Sequence, residues 1–336
     1  MHASGIEDSS IRPADLRSAD SQAVDLRCAD LPPTVRAALA EERQRERAES
    51  AARALAHGHY ENFSVISILL PRHLKQDFCN VYAFCRVADD LGDEIGDPGR
   101  SLALLAEFKR LTIAMFDGQS DSVVFTALAA TVRKHALPIQ PFLDLIDAFE
   151  QDQRQSRYAD WDDVINYCRR SADPVGRLVL YMCGYRDADR QRLSDRTCTA
   201  LQLTNFWQDV RRDWDERQRV YLPQDAMRRF GVSEAQIAEG RCDDNYRRLL
   251  RELCEKTETM FDEGEELLPM LAPVYRRQIA LFGRGGRAIL AAIGRQGYDT
   301  LSRRPALSRW QKTRLIASTA CSMLAGSLGG RGKPTP

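Results

Sequence analysis

The chain lacks most of the marks by which exported, metal-stapled or membrane-spanning proteins are known. Its nine cysteines, an odd number, include no C-x-x-C pair and no regular spacing, which argues against a disulfide framework or a cysteine zinc site and points to a reducing cytosol. His57 and His59 form an H-x-H, but no third ligand at zinc spacing follows. No basic segment followed by an apolar run opens the chain, and no stretch approaches the ~18 apolar residues that span a bilayer. The expected location is cytoplasmic, with peripheral contact at the inner face of the cell membrane left open. Excess charge is missing too: 48 basic and 48 acidic side chains cancel, so neither a nucleic-acid partner nor an acidic tail is indicated. Gly283-Arg-Gly-Gly286 has no strand before it and lacks the context of a nucleotide loop; it reads as a loosened helix turn beside close packing. No Ser-His-Asp or Cys-His spacing marks a covalent nucleophile.

What is present is helical periodicity. Beyond Tyr60, apolar residues recur three and four apart, as in Leu102, Leu105, Phe108, Leu111 and again in Phe142, Leu145, Ile146, Phe149. Strand-like alternation is nearly absent, so the fold class expected is all-α. Glycine and proline gather at the joints, at Gly96 to Gly99, at Pro138 and Pro141, and at Pro269 and Pro273. No Gly/Ser-rich linker divides the body. Residues 1–45 are expected to form a poorly ordered tail and lead-in, with a short echo (Ala14-Asp-Leu-Arg-Ser-Ala-Asp20, Val24-Asp-Leu-Arg-Cys-Ala-Asp30) and a helix starting near Arg36. A single domain is expected over 46–316, and a tail over 317–336.

Two segments stand out. Tyr82-Ala-Phe-Cys-Arg-Val-Ala-Asp-Asp-Leu-Gly-Asp93 places Tyr82, Arg86, Asp89 or Asp90, and Asp93 on one helix face. Gln202-Leu-Thr-Asn-Phe-Trp-Gln-Asp-Val-Arg-Arg-Asp213 does the same for Asn205, Asp209 and Asp213. A lone D-x-x-x-D is commonly a solvated face. Two of them, each flanked by aromatic residues such as Phe84, Phe206 and Trp207, indicate a cleft. Magnesium takes hard oxygen ligands, usually one or two carboxylates, and completes its shell with water and phosphate oxygens. Facing acidic helices can therefore clamp a diphosphate through bridging Mg2+.

These segments resemble the squalene and phytoene synthase family. The likeness runs from roughly 57 to 315 through His59-Tyr-Glu-Asn-Phe63 with Leu70-Pro71, both acidic segments, Tyr167-Cys-Arg-Arg-Ser-Ala-Asp-Pro-Val-Gly176, Arg219-Val-Tyr-Leu-Pro223 with Phe230-Gly231, and Tyr298 to Arg303. It implies a single-domain isoprenoid synthase fold with a central prenyl-chain cavity and a prenyl diphosphate substrate. It further implies that Asp89, Asp93, Asp209 and Asp213, with Asn205, hold magnesium. Arg86 and Arg303 become phosphate contacts, and Tyr82 joins the catalytic set. Phe63, Tyr82, Tyr167, Ala172, Val175 and Gly176 line the tunnel, and Asn62, Gln202 and Gln208 fall among the substrate-binding positions. Pro174 is either a kink in a tunnel helix or a plain helix end.

The sequence departs from the condensing members of that family at two points. Glu61 stands where they commonly carry a lysine, and Gln208 where an arginine precedes the second aspartate pair. Fewer cations suit one diphosphate better than two. The local spelling is similar to bacterial hydroxysqualene synthases of hopanoid biosynthesis. That likeness implies conversion of presqualene diphosphate and water to hydroxysqualene, with Glu61, Asn62 and Gln208 as candidate holders of the quenching water and other enzymes of squalene or hopanoid synthesis as partners. The alternative is head-to-head condensation of two prenyl diphosphates; a non-catalytic scaffold is disfavoured because all four aspartates are present. The segment from Arg303 through Arg309, Trp310 and Lys312 to Leu324 reads either as a terminal core helix with a basic face or as a membrane-surface element.

Overall fold

The computed structural model describes residues 44–54, 71–119 and 122–308. The chain divides into Met1–Gln44 and Arg45–Pro336, and all that follows concerns the second unit. The expectations for the N-terminal tail, for His57 to Phe63, and for the basic segment from Arg309 onward lie outside the described residues.

Eleven helices are named here, after a helical stretch at 45–54. They are α1 (Lys75–Asp93), α2 (Pro98–Phe116), α3 (Val123–His135), α4 (Gln140–Asp152), α5 (Trp161–Ser171), α6 (Asp173–Met182), α7 (Ala188–Arg217), α8 (Gln224–Phe230), α9 (Glu234–Glu239), α10 (Asp244–Glu265) and α11 (Pro273–Arg295). Among the described residues the only β pairing is an isolated bridge between Arg157 and Val220. No described helix is long and apolar enough to cross a membrane.

The starts of these helices follow from residue chemistry. Asp97, Asp160, Asp187 and Asp243 each accept a hydrogen bond from the backbone N–H three residues on, satisfying a donor that the helix leaves open. Ser233 and Gln236 close a reciprocal capping box on α9. Pro98, Pro141 and Pro273 fall in first turns, where no N–H is needed. Pro174 does likewise. Ala172, at φ −122° and ψ −50°, breaks the chain between α5 and α6, so Pro174 opens a new helix and kinks none.

The helix α7 runs through the middle, packed by α5, α6, α9, α10 and α11, while α1 packs against α2, α3 and α4. Each has its own apolar surroundings. Around α7 lie Trp207, Tyr246, Leu249, Leu250, Leu253 and Phe261; around α1 the rings of Phe84, Phe108, Phe125 and Phe142 pack together, with centroids 5.0 Å apart for Phe84 with Phe108 and for Phe84 with Phe142. The Gly283 to Gly286 stretch is continuous helix within α11, with no loosened turn. Its close packing is real at Gly286, where a Cβ would lie 2.4 Å from the Phe261 ring and 2.8 Å from Leu201.

Candidate functional site

The last turns of α1 carry the first acidic set. Arg86 Nη1 donates to Asp89 Oδ2 at 2.9 Å, and its Nη2 pairs with Asp90. Asp93, one turn on, is claimed from the far end of α7. That helix stops at Gln218, which adopts a left-handed φ of 52° while its N–H returns to Trp214 O and the N–H of Arg219 returns to Asp213 O. The reversal brings Arg217 Nη2 to 3.0 Å from Asp93 Oδ2 and Arg219 Nη1 to 3.2 Å from Asp93 Oδ1. The two acidic segments, far apart in sequence, are thereby joined.

Behind Asp93 the network continues inward. Arg219 also reaches Asp152, with Nη2 donating to its carbonyl at 3.2 Å and Nη1 lying 3.6 Å from its carboxylate. Tyr167 OH donates to Asp152 Oδ2 at 2.7 Å. Burial pushes the Asp152 carboxyl up to about 6, against the pull of Arg219 and the Tyr167 hydroxyl. The ring of Tyr167 packs with Tyr158, Phe206 and Tyr221, and Phe206 stacks on Tyr221 with centroids 3.7 Å apart.

On α7, Gln202 is half-buried, Asn205 is exposed, and Asp209 and Asp213 are half-buried. Asp209 has φ −109° and ψ 15°, so the long helix is bent at the residue that opens its acidic pair. No proline or glycine lies in 202–213 to cause this. The chain after α11 grips the bend instead: Gln208 Nε2 donates to Pro305 O at 2.6 Å, and both guanidinium nitrogens Nε and Nη2 of Arg304 pair with Asp209. Burial, and then the charge of Asp209, push the Asp213 carboxyl up to about 7, against Arg217, Arg219 and Arg212. Asp89 is raised by burial and then by the charge of Asp93.

Crowded carboxylates of raised pKa are a donor set that a divalent cation would relieve, because its charge favours the ionised form of every oxygen ligand. Among the described residues no three His, Cys, Asp or Glu side chains converge into a cage. The fit is to the sparse mode of magnesium binding, one or two carboxylates with the rest of the shell supplied by substrate and water.

The remaining expected site residues divide. Tyr82 shares the α1 face with Arg86 and Asp89 and is half-buried. Ala172 sits buried at the α5–α6 break, and Val175 is 41% exposed. Gly176 meets α7 rather than open space: a Cβ there would lie 2.5 Å from both Cys198 Sγ and Ser194 Oγ. Gln208 is buried and donates its amide N–H to Pro305 O, which makes it an anchor of the terminal segment. Arg303 turns away, its Nη2 donating to Gln296 Oε1 at 3.3 Å, and its neighbour Arg304 is the residue at Asp209. Phe63 and Asn62 lie outside the described residues.

Sequence reasoning passed over Arg217, Arg304 and Asp152 and quoted Arg219 only as part of a motif. For Arg217 and Arg219 the signal was present, as cations directly after an acidic helix. Asp152 offered none, being one of several acids along α4 and set apart only by the burial of its side chain on folding.

A further buried carboxyl, Asp173 at the start of α6, accepts from Thr199 Oγ1 at 2.7 Å and is pushed up to about 7 by burial and then by Asp195. With its folded pKa raised above the ordinary 3.8, its favourable contribution is complete below that value and is lost as pH rises through the folded pKa. Asp173→Asn keeps the acceptor and removes the ionisation. The variant is expected to gain on order of 2 kcal/mol at pH 8 and to match the wild type at low pH. Thermal melts across pH 4 to 8 check this; a difference that stays constant with pH would refute it.

A model of the squalene/phytoene synthase family matches residues 56–311. Among curated proteins, a hydroxysqualene synthase of Sinorhizobium fredii is 33% identical over 62% of this chain and 70% of its own length. A phytoene synthase of Thermus thermophilus is 32% identical over 77% of this chain and 87% of its own. Among solved structures, the squalene synthase HpnC of Alicyclobacillus acidocaldarius superimposes with a TM-score of 0.72 at 42% identity, over 81% of this chain and 98% of that one.

Proposed function

The chain belongs to the squalene/phytoene synthase family, and we propose that it converts presqualene diphosphate and water to hydroxysqualene, releasing diphosphate. The observation that carries a diphosphate site is the hook at the end of α7, which sets Arg217 and Arg219 on Asp93 and so ties the two acidic helices together. The choice of hydroxysqualene is supported by the hydroxysqualene synthase relative.

Asp89, Asp93, Asp209 and Asp213, helped by Asn205, would hold magnesium. When bound, that ion supplies positive charge against the departing diphosphate. Arg86 and Arg217, both within reach of the acidic faces, add hydrogen bonds to the phosphate oxygens. As the carbon–oxygen bond breaks, the positive charge left on the prenyl skeleton is favoured by nearby aromatic faces such as that of Tyr82, by ~0.5 to 2 kcal/mol each. Apolar walls delay capture by bulk water. A single water then adds its oxygen to the carbocation and loses one proton to the departed diphosphate.

A second reading, condensation of two prenyl diphosphates, is favoured by one observation. The cation missing at Gln208 is made up by Arg304, which stands on Asp209, so a shortage of positive charge beside the second acidic pair no longer argues against a second diphosphate. Product analysis separates the readings. Presqualene diphosphate with magnesium is expected to yield hydroxysqualene, and farnesyl diphosphate alone to yield nothing. Turnover of farnesyl diphosphate would sink the first reading.

A further inference from the structure

The segment after α11 is irregular yet firmly placed. Tyr246 OH and Thr300 Oγ1 lie 2.7 Å apart, and the N–H groups of Leu301 and Ser302 donate to Asp299 Oδ1 at 3.2 and 2.9 Å. Gln296 Nε2 donates to the carbonyls of Asp299 and Arg303, both at 2.5 Å. Leu301 and Pro305 are buried on either side of Arg304, and Pro305 O takes the buried amide of Gln208. The backbone of Arg304 is thus fixed at both ends while its side chain stays 48% exposed. From that position its fork engages both oxygens of Asp209.

Two-point pairing of guanidinium with carboxylate takes one lone pair on each oxygen and sets a full positive charge against the group, and both effects oppose a second cation there. A divalent cation and Arg304 therefore compete for Asp209. Once displaced, the guanidinium remains within a side chain's length of the same site, now beside whatever anion the cation has recruited, and its planar fork suits phosphate oxygens as well as it suits a carboxylate.

Resting on the diphosphate reading above, we propose that Arg304 is an exchangeable counter-ion: it neutralises Asp209 until a divalent cation takes its place and then binds the diphosphate. The exchange keeps the net charge of the acidic pair low in both states, which limits the repulsion between Asp209 and Asp213.

The test uses the full chain with Arg304→Gln and Arg304→Lys. Calorimetric titration with magnesium chloride alone is expected to show tighter binding to Arg304→Gln than to wild type, by about three- to tenfold, because the competitor is gone. Titration with inorganic diphosphate at saturating magnesium is expected to show the opposite, about tenfold weaker binding. Arg304→Lys, which keeps charge but cannot form the fork, should fall between for diphosphate and still bind magnesium more tightly than wild type; it carries the test if the Gln variant does not fold. Unchanged or weaker magnesium binding in both variants, or unchanged diphosphate affinity, would overturn the exchange. Asp209→Asn distinguishes this failure from a wider one: if wild type binds magnesium and diphosphate and Asp209→Asn does not, the diphosphate site stands without the exchange. If wild type binds neither, both fall.

Discussion

Asp93→Asn is expected to lower kcat/KM by about a thousandfold, close to 4 kcal/mol at 1.36 kcal/mol per decade, while the fold survives. The reason lies in what converges on this carboxylate. It is the α1 acid that Arg217 and Arg219 both reach, so it is at once a ligand candidate for magnesium and the point where the two acidic helices meet. Asparagine keeps one acceptor oxygen for the arginines and loses the charge, so the melting temperature should move by only a few degrees. Steady-state kinetics at saturating magnesium checks the effect; a loss below about tenfold would remove Asp93 from the diphosphate site.

Arg219→Met is expected to cost about 3 to 5 kcal/mol of stability near neutral pH. Arg219 is only 8% exposed and bridges Asp93 to Asp152, a carboxyl that is itself 5% exposed by its side chain. Removing the cation strands a buried acid. The cost depends on pH with a definite sign. Burial already lifts Asp152 to about 6, and Arg219 is the foremost influence holding it down, so without the arginine its folded pKa climbs further. A raised carboxyl contributes its full stability below the ordinary carboxylate value and loses it as pH rises through the folded pKa. The deficit of Arg219→Met should therefore be largest at pH 8 and shrink toward pH 5. Adding Asp152→Asn should recover much of it, since the stranded charge is then gone. Denaturant unfolding of the single and double variants at both pH values reads this directly, and a deficit independent of pH would show that Asp152 is not the cause.

Much of the architecture was legible before any coordinates. Aspartates four apart among Phe84, Phe206 and Trp207 marked both acidic helices because a helix repeats its faces every three to four residues, and Pro98, Pro141 and Pro273 marked joints because proline belongs in first turns. Other features were hidden for physical reasons. Spacing cannot tell a kinked helix from two consecutive ones, and only the dihedrals of Ala172 decide that Pro174 starts α6. In the irregular stretch after α11 no periodicity says which of two adjacent arginines reaches Asp209; the resemblance singles out Arg303, and the residue paired with Asp209 is Arg304. Asp152 matters because folding buries its side chain, and the left-handed Gln218 matters because it aims its neighbours. Neither effect is a property of residue type.

The bend at Asp209 carries one more implication. In a straight helix the backbone spacing of two residues one turn apart is set by the helical rise, and only their rotamers can adjust the gap between the side chains. Here Asp209 sits at the joint itself, with Asp213 beyond it, so the bite of this acidic pair is a matter of angle. Because the joint is gripped from outside by Gln208 with Pro305 and by Arg304, the spacing of the Asp209 and Asp213 carboxylates can drift in evolution through substitutions in a distant, irregular stretch of chain, leaving every acidic residue in place.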